Sequence, residues 1–133
     1  MKFIKQEAVN KILALQPVPK TIVSVRDQDG RDNALVVGFA ADVSLDPPMV
    51  MIEIVPTRFS YHMVKQNPCF VMNILGKNYE AEYNYLGSHS GCCEDKLGEM
   101  AIRTEKGEHD DESISVLYAN KGFIWSRPAC QPA

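Results

Sequence analysis

Thr21-Ile22-Val23-Ser24-Val25-Arg26-Asp27-Gln28-Asp29-Gly30-Arg31-Asp32-Asn33-Ala34-Leu35-Val36-Val37-Gly38-Phe39 is the stretch on which the fold reading turns. Thr21 to Arg26 is a β-branched run, Asp27 to Asp32 is polar with Asp29-Gly30 at its middle, and Ala34 to Phe39 is apolar again. Two strand-forming runs on either side of a turn-forming segment predict a β-hairpin. Asp-Gly supplies the positive φ that a tight connection needs. The polar stretch exceeds a two-residue turn, so the register stays open.

Upstream, Ala8, Ile12 and Leu15 recur at helical spacing within Lys5 to Leu15, and Pro17 and Pro19 forbid continuation, which predicts a short amphipathic helix. Downstream, Asp46-Pro47-Pro48 breaks regular structure, and Met49 to Val55 reads as a nearly continuous buried strand with Glu53 as its one charge. Ser60 to Gln66 carries helix formers behind a Ser or Thr cap, and Asn67-Pro68 ends it before Cys69 to Leu75 returns to strand composition. Asn78 to Leu86 predicts a second helix with Gly87 in the left-handed terminating position, followed by a Gly/Ser loop to Gly91. Arg103 to Ser113 is charged without apolar period, the composition of an exposed loop. Ser115 to Tyr118 and Phe123 to Trp125 flank Asn120-Lys121-Gly122 as two short final strands. Five or six strands in sequential order with a few short helices favour a mainly β, antiparallel barrel or sandwich over a doubly wound sheet.

The chain has 133 residues, 45% of them hydrophobic and 23% charged, which suits one ordinary globular domain spanning 1–133. A net charge of -3 removes the counterion-release argument for nucleic-acid binding, so no nucleic-acid partner is expected. Lys2, Lys5, Glu7 and Lys11 break up any signal-like apolar region, and no run approaches the ~20 residues of a membrane span. The expectation is a cytoplasmic protein with no membrane partner. Cys69, Cys92, Cys93 and Cys130 lack framework spacing, and neighbours Cys92 and Cys93 would bridge only in a strained ring, which favours reduced thiols.

Chemistry has two local candidates. Gly87-Ser88-His89-Ser90-Gly91 offers small residues and hydroxyls from which an anion nest can be built, although a solvent loop after a helix has the same composition. It is neither a Walker loop nor a nucleophile elbow, since His89 stands where the central serine would be. Arg58 and Ser60 fall where a strand gives way to a helix, so guanidinium, hydroxyl and free N–H groups can converge on a phosphate; a capped helix with a solvated arginine is the other reading. His89, Cys92 and Cys93 fall short of a four-ligand zinc set, and no metal is expected. His62 and His109 have no assignable triad partners.

Several blocks read together carry more. Asn33-Ala34 leads into an apolar strand, followed by Val43-Ser44-Leu45-Asp46-Pro47-Pro48-Met49-Val50, Arg58-Phe59-Ser60, Phe70-Val71-Met72-Asn73-Ile74, and Tyr85 to Gly91 ahead of Asp95-Lys96. In order and spacing these resemble the flavin reductase-like family, the FMN-binding split barrels that include flavoredoxins. The resemblance covers about residues 10–97, one domain's span, and 98–133 diverge. It implies an antiparallel FMN-binding split β-barrel, a homodimer holding FMN near the subunit interface.

On that resemblance Val36, Val37, Gly38, Phe39, Ala40, Ala41 and Ser44 would lie along the isoalloxazine, largely through backbone groups. Arg58, Ser60 and His62, with Ser88, Ser90 and Gly91, would approach the phosphate side. The flavin would take electrons from NADH or NADPH and pass them to a small-molecule or protein acceptor, with no catalytic side chain required. Val36, Gly38 and Phe39 stand where many members carry hydroxyls and an aromatic, and Cys92-Cys93 replaces an Arg-Asp pair. Set against that resemblance the chain is shorter than typical members, whose later strands close the barrel, and a member shortened so would remain a flavin-binding electron carrier without NAD(P)H oxidation; the substituted hydroxyls and Arg would instead suit a degenerate ligand-binding or dimerisation module.

Overall fold

The computed structural model describes residues 19–76, 78–106, 114–116 and 124–128. The expected helix over Lys5 to Leu15, His109 and Cys130 lie outside them. The leading hairpin forms as β1 (Thr21–Arg26) and β2 (Asp32–Val37), antiparallel, with Arg26 opposite Asp32 and Thr21 opposite Val37. Asp27 sets this register. Its carboxylate accepts the N–H groups of Asp29 and Arg31, both at 2.9 Å, while Gly30 takes φ 82°. The side chain thus organises a turn that a β-carbon at Gly30 would oppose.

The chain continues through β3 (Ala40–Leu45), β4 (Pro48–Ile52), α1 (Phe59–Gln66), β5 (Cys69–Ile74), α2 (Glu80–Ser88), α3 (Lys96–Glu99), β6 (Thr104–Lys106), β7 (Ile114–Val116) and β8 (Ile124–Pro128). The principal sheet has the order β2-β1-β5-β8, and its three pairings are antiparallel. The final strand therefore docks beside β5. Two further hairpins, β3-β4 and β6-β7, complete the ladders.

Both faces of the principal sheet are covered, which is why β1 reads as a continuous β-branched run rather than an alternation. On one face Ile22 and Ala34 pack with Leu86 of α2 and Leu97 of α3. On the other, Val23, Val25, Leu35 and Val37 pack with Met63 of α1, and Ala40 and Ile52 close over them. Each fully buried aliphatic side chain contributes about 1.5–3 kcal/mol.

Four expectations change. Met49 to Val55 is not a buried strand: β4 stops at Ile52, and Met49 and Met51 are exposed because the β3-β4 hairpin covers the core with one face only. Gly87 lies inside α2 rather than ending it; a β-carbon there would stand 3.2 Å from Val36 Cγ2, so glycine serves close helix–strand approach. Arg58, not Ser or Thr, is the N-cap residue of α1 and makes no side-chain capping bond. Thr104–Lys106, expected in a loop, forms β6 because Ile114–Val116 pairs with it.

Candidate functional site

A cavity of about 200 Å³ opens where β2, the start of α1, the end of α2 and α3 meet. Its wall from β2 is Asn33, Leu35 and Val36; α1 and its approach bring Thr57 to Ser60, α2 and the following loop bring Leu86 to Gly91, and α3 brings Lys96. The two segments expected to attract an anion, far apart in sequence, therefore face one space.

Asn33 joins them. Its side chain is buried, and its amide Nδ2 donates to Ser60 Oγ at 2.8 Å. Gly91 packs directly against that amide: a β-carbon at residue 91 would sit 2.6 Å from Asn33 Oδ1. Only glycine lets the loop reach this depth. The Arg31 guanidinium holds the loop from outside by donating to the Gly91 carbonyl, and lies 4.9 Å from the centre of the Phe59 ring. Ser60, pinned by Asn33, places the first turn of α1 against the cavity.

Two cations serve the cavity differently. Arg58 is exposed at the start of α1, where the free N–H groups carry positive partial charge. Lys96 is only 3% exposed, and its ammonium donates to the Leu86 carbonyl at 3.1 Å, near the negative end of α2. Burial pushes the Lys96 pKa down to about 8; Glu94 acts upward and Arg58 downward. Asp95 makes this placement possible, because its carboxylate accepts the Gly98 N–H at 3.1 Å and caps α3. A buried ammonium beside a second cation lowers its cost when an anion enters.

The loop above the cavity is ordered by side chains. Ser88 Oγ donates to the Asn84 carbonyl at 2.7 Å, and His89 stacks on Tyr85 with ring centres 4.0 Å apart. The Tyr85 hydroxyl donates to Glu94 at 2.9 Å. Its pKa lies above the ordinary tyrosine value through desolvation first and the Glu94 bond second. Among the described residues, no group of three His, Cys, Asp or Glu side chains is placed to hold a metal. None of their helices is long and apolar enough to cross a membrane.

Of the residues singled out from sequence, Val36, Arg58, Ser60, Ser88, Ser90 and Gly91 line the cavity. The others lie outside its lining: Val37 points into the core, whereas Gly38, Phe39, Ala40, Ala41 and Ser44 follow the chain from β2 into the β3-β4 hairpin. His62 is exposed, edge-on to Tyr61 at 5.7 Å between ring centres. Gly87 and His89 of the Gly/Ser segment also line the cavity, and so do Asn33 and Lys96, for which the sequence suggests no binding role. Asn33 and Asp95-Lys96 belonged to the blocks carrying the resemblance, yet their role depends on burial, which sequence spacing does not show.

Over 71 residues, 53% of this chain, the sequence is 34% identical to the NADH:riboflavin 5'-phosphate oxidoreductase of Streptomyces pristinaespiralis. The chain spans 40% of the length of each of two curated relatives it matches. In three dimensions it superposes on the flavoredoxin of Desulfovibrio vulgaris (Miyazaki F) with a TM-score of 0.73 and 24% identity, covering 84% of this chain and 61% of that one. An FMN-binding protein from Thermus thermophilus gives 0.72 and 22%, covering 93% and 67%. These structural likenesses establish the fold as the flavin reductase-like split barrel, mainly β with short helices, although the described sheets do not close on one another. The family model for the flavin reductase like domain matches residues 14–123, and the chain belongs to that family.

Proposed function

We propose that this chain binds FMN with its phosphate in the Arg58–Ser60–Lys96 cavity, and as a homodimer passes electrons from reduced nicotinamide through the flavin to a small-molecule or protein acceptor. The observation that carries the reading is that buried Lys96, its ammonium on the Leu86 carbonyl, lines a small cavity that Arg58 and the start of α1 also line. A cation so placed is matched by a group of negative charge, and the close approach of Gly91 to Asn33 brings the Ser88 to Gly91 loop to the same space. At about 200 Å³ the cavity accepts a phosphate and part of its tail. It is below the roughly 300–1,000 Å³ of sites that enclose a drug-sized ligand, so the ring system would lie outside it, along Gly38 to Ala41.

Bound flavin would supply the redox chemistry itself. The protein's residues bind and orient. Arg58 and Lys96 neutralise the phosphate, Ser60 offers a hydroxyl whose direction Asn33 fixes, and Ser88 and Ser90 stand at the rim. Phe39, Val43, Leu45, Met49 and Met51 are exposed on or beside the β3-β4 hairpin, Leu45 at 94%. A second copy covering this face would bury them and exclude water from the ring side. Support for a nicotinamide donor comes from the Streptomyces relative, named for NADH and riboflavin 5'-phosphate.

The test is titration of the purified protein with FMN, then anaerobic addition of NADH or NADPH. Saturable uptake and bleaching of the flavin absorbance are expected. Arg58→Ala is expected to weaken FMN by about 10- to 100-fold, as loss of a charge-assisted bond does. Failure to take up FMN overturns the proposal; uptake without bleaching by either nucleotide overturns the donor step.

A further inference from the structure

Just past the cavity, on the turn after Gly91, Cys92 and Cys93 lie exposed with their sulfurs 2.9 Å apart. Ser90, which lines the cavity rim, donates its hydroxyl to Cys92 Sγ at 3.2 Å and accepts the Cys92 N–H at 3.3 Å. Arg31, held on the Gly91 carbonyl, adds positive potential on the Cys92 side. The two thiols are not equivalent. The Cys93 bond comes first and the Ser90 bond second in holding the Cys92 pKa below the ordinary thiol value. The bond to Cys92 and the charge of its thiolate hold Cys93 above it, with Glu94 adding to the effect.

A disulfide bond is about 2.05 Å long, so bridging requires the sulfurs to close by less than about 1 Å. They sit on a turn, outside helix and strand, where no ladder opposes that movement. A bridge between sequence neighbours is strained and therefore readily reduced, which suits a cycling pair better than a structural link.

We propose that Cys92 and Cys93 form a redox-active vicinal dithiol that exchanges with low-molecular-weight disulfides, Cys92 attacking and Cys93 resolving. The Cys92 thiolate attacks one sulfur of a disulfide RSSR, forming the Cys92–SR mixed disulfide and releasing RS⁻, which takes up the proton lost by Cys92. Cys93 then gives up its proton, and its thiolate attacks Cys92 Sγ. The Cys92–Cys93 bond forms, the Cys92–SR bond breaks, and the second RS⁻ takes the Cys93 proton. In sum the protein loses two electrons and two protons, and one RSSR becomes two RSH. The exchange requires no flavin and stands independently of the FMN reading.

Trypsin cleavage after Lys77 and Lys96 isolates peptide 78–96, which carries Cys92 and Cys93 but neither Cys69 nor Cys130. The full-length reduced protein is treated with excess oxidised glutathione, quenched in acid, digested and weighed. The expected peptide is lighter by two hydrogens and carries no glutathione. Cys93→Ser should retain one glutathione on Cys92, and Cys92→Ser should acquire its adduct at least about tenfold more slowly than Cys93→Ser does. A wild-type peptide that stays unreacted, or ends as a stable glutathione adduct, overturns the proposal without recourse to either variant. Equal rates for the two variants overturn the assignment of Cys92 as attacker.

Discussion

Replacing Gly91 by alanine tests the packing on which the candidate site rests. The added β-carbon would meet Asn33 Oδ1 at 2.6 Å and both Cγ and Nδ2 at 2.8 Å. Gly91 does not have positive φ, so the backbone itself accommodates alanine and the clash is the whole effect. Asn33 has a short side chain, is 3% exposed, and is held by its bond to Ser60, so it has little room to retreat. Overpacking of this kind costs about 1–3 kcal/mol. Turning the amide away from a buried hydroxyl adds a loss of about 1–3 kcal/mol, the two not being fully additive. A total near 3 kcal/mol is expected.

Urea unfolding of wild type, Gly91→Ala, Asn33→Ala and the double variant closes a thermodynamic cycle. With residue 33 shortened to alanine, the new β-carbon meets no amide, and Gly91→Ala should then cost under about 1 kcal/mol. The interaction term should be about 2 kcal/mol in favour of the double variant. If Gly91→Ala costs the same in both backgrounds, Asn33 is not what requires glycine, and the account of how this loop reaches the cavity is wrong.

Lys96 gives a second expectation in which stability and binding move oppositely. Its folded pKa of about 8 lies below the ordinary 10.5, so the unfolded chain binds more protons between those values. Stability therefore carries the full penalty below pH 8 and rises with pH from about 8 to 10.5, while FMN affinity falls over the first part of that range as the ammonium is lost. Lys96→Met should remove both trends, raise pH 7 stability by about 1 kcal/mol, and weaken FMN at least about tenfold, read by denaturation and flavin titration. If the proposed homodimer pairs through the exposed hairpin face, Leu45→Lys should leave the fold intact and shift sedimentation from dimer to monomer. Ala101 follows α3 with φ 49°, a left-handed conformation that glycine adopts without strain. Ala101→Gly should therefore stabilise the protein by about 0.5–1 kcal/mol in the same unfolding assay.

Local chemistry made much of this protein legible from sequence. Thr21 to Arg26 and Ala34 to Val37 are strands because β-branched and apolar runs flank an Asp-Gly turn, and Asn67-Pro68 ends α1 because proline disfavours helix before it. Arg58-Phe59-Ser60 and Ser88 to Gly91 were each legible as candidate anion sites because the residue types involved lie within a few positions of one another. The exposed β4 and the extent of α2 were not legible in this way, since a Met/Val/Ile run reads alike whether one face or two are covered, and Gly87 fits a helix end as well as a close contact. Tertiary structure alone decided that the two candidate anion-binding segments share a cavity, with Asn33 bridging to Ser60 across 27 residues and buried Lys96 in its wall. Periodicity and turn chemistry act over a few residues, whereas convergence at this site depends on which face of each element the core has already occupied.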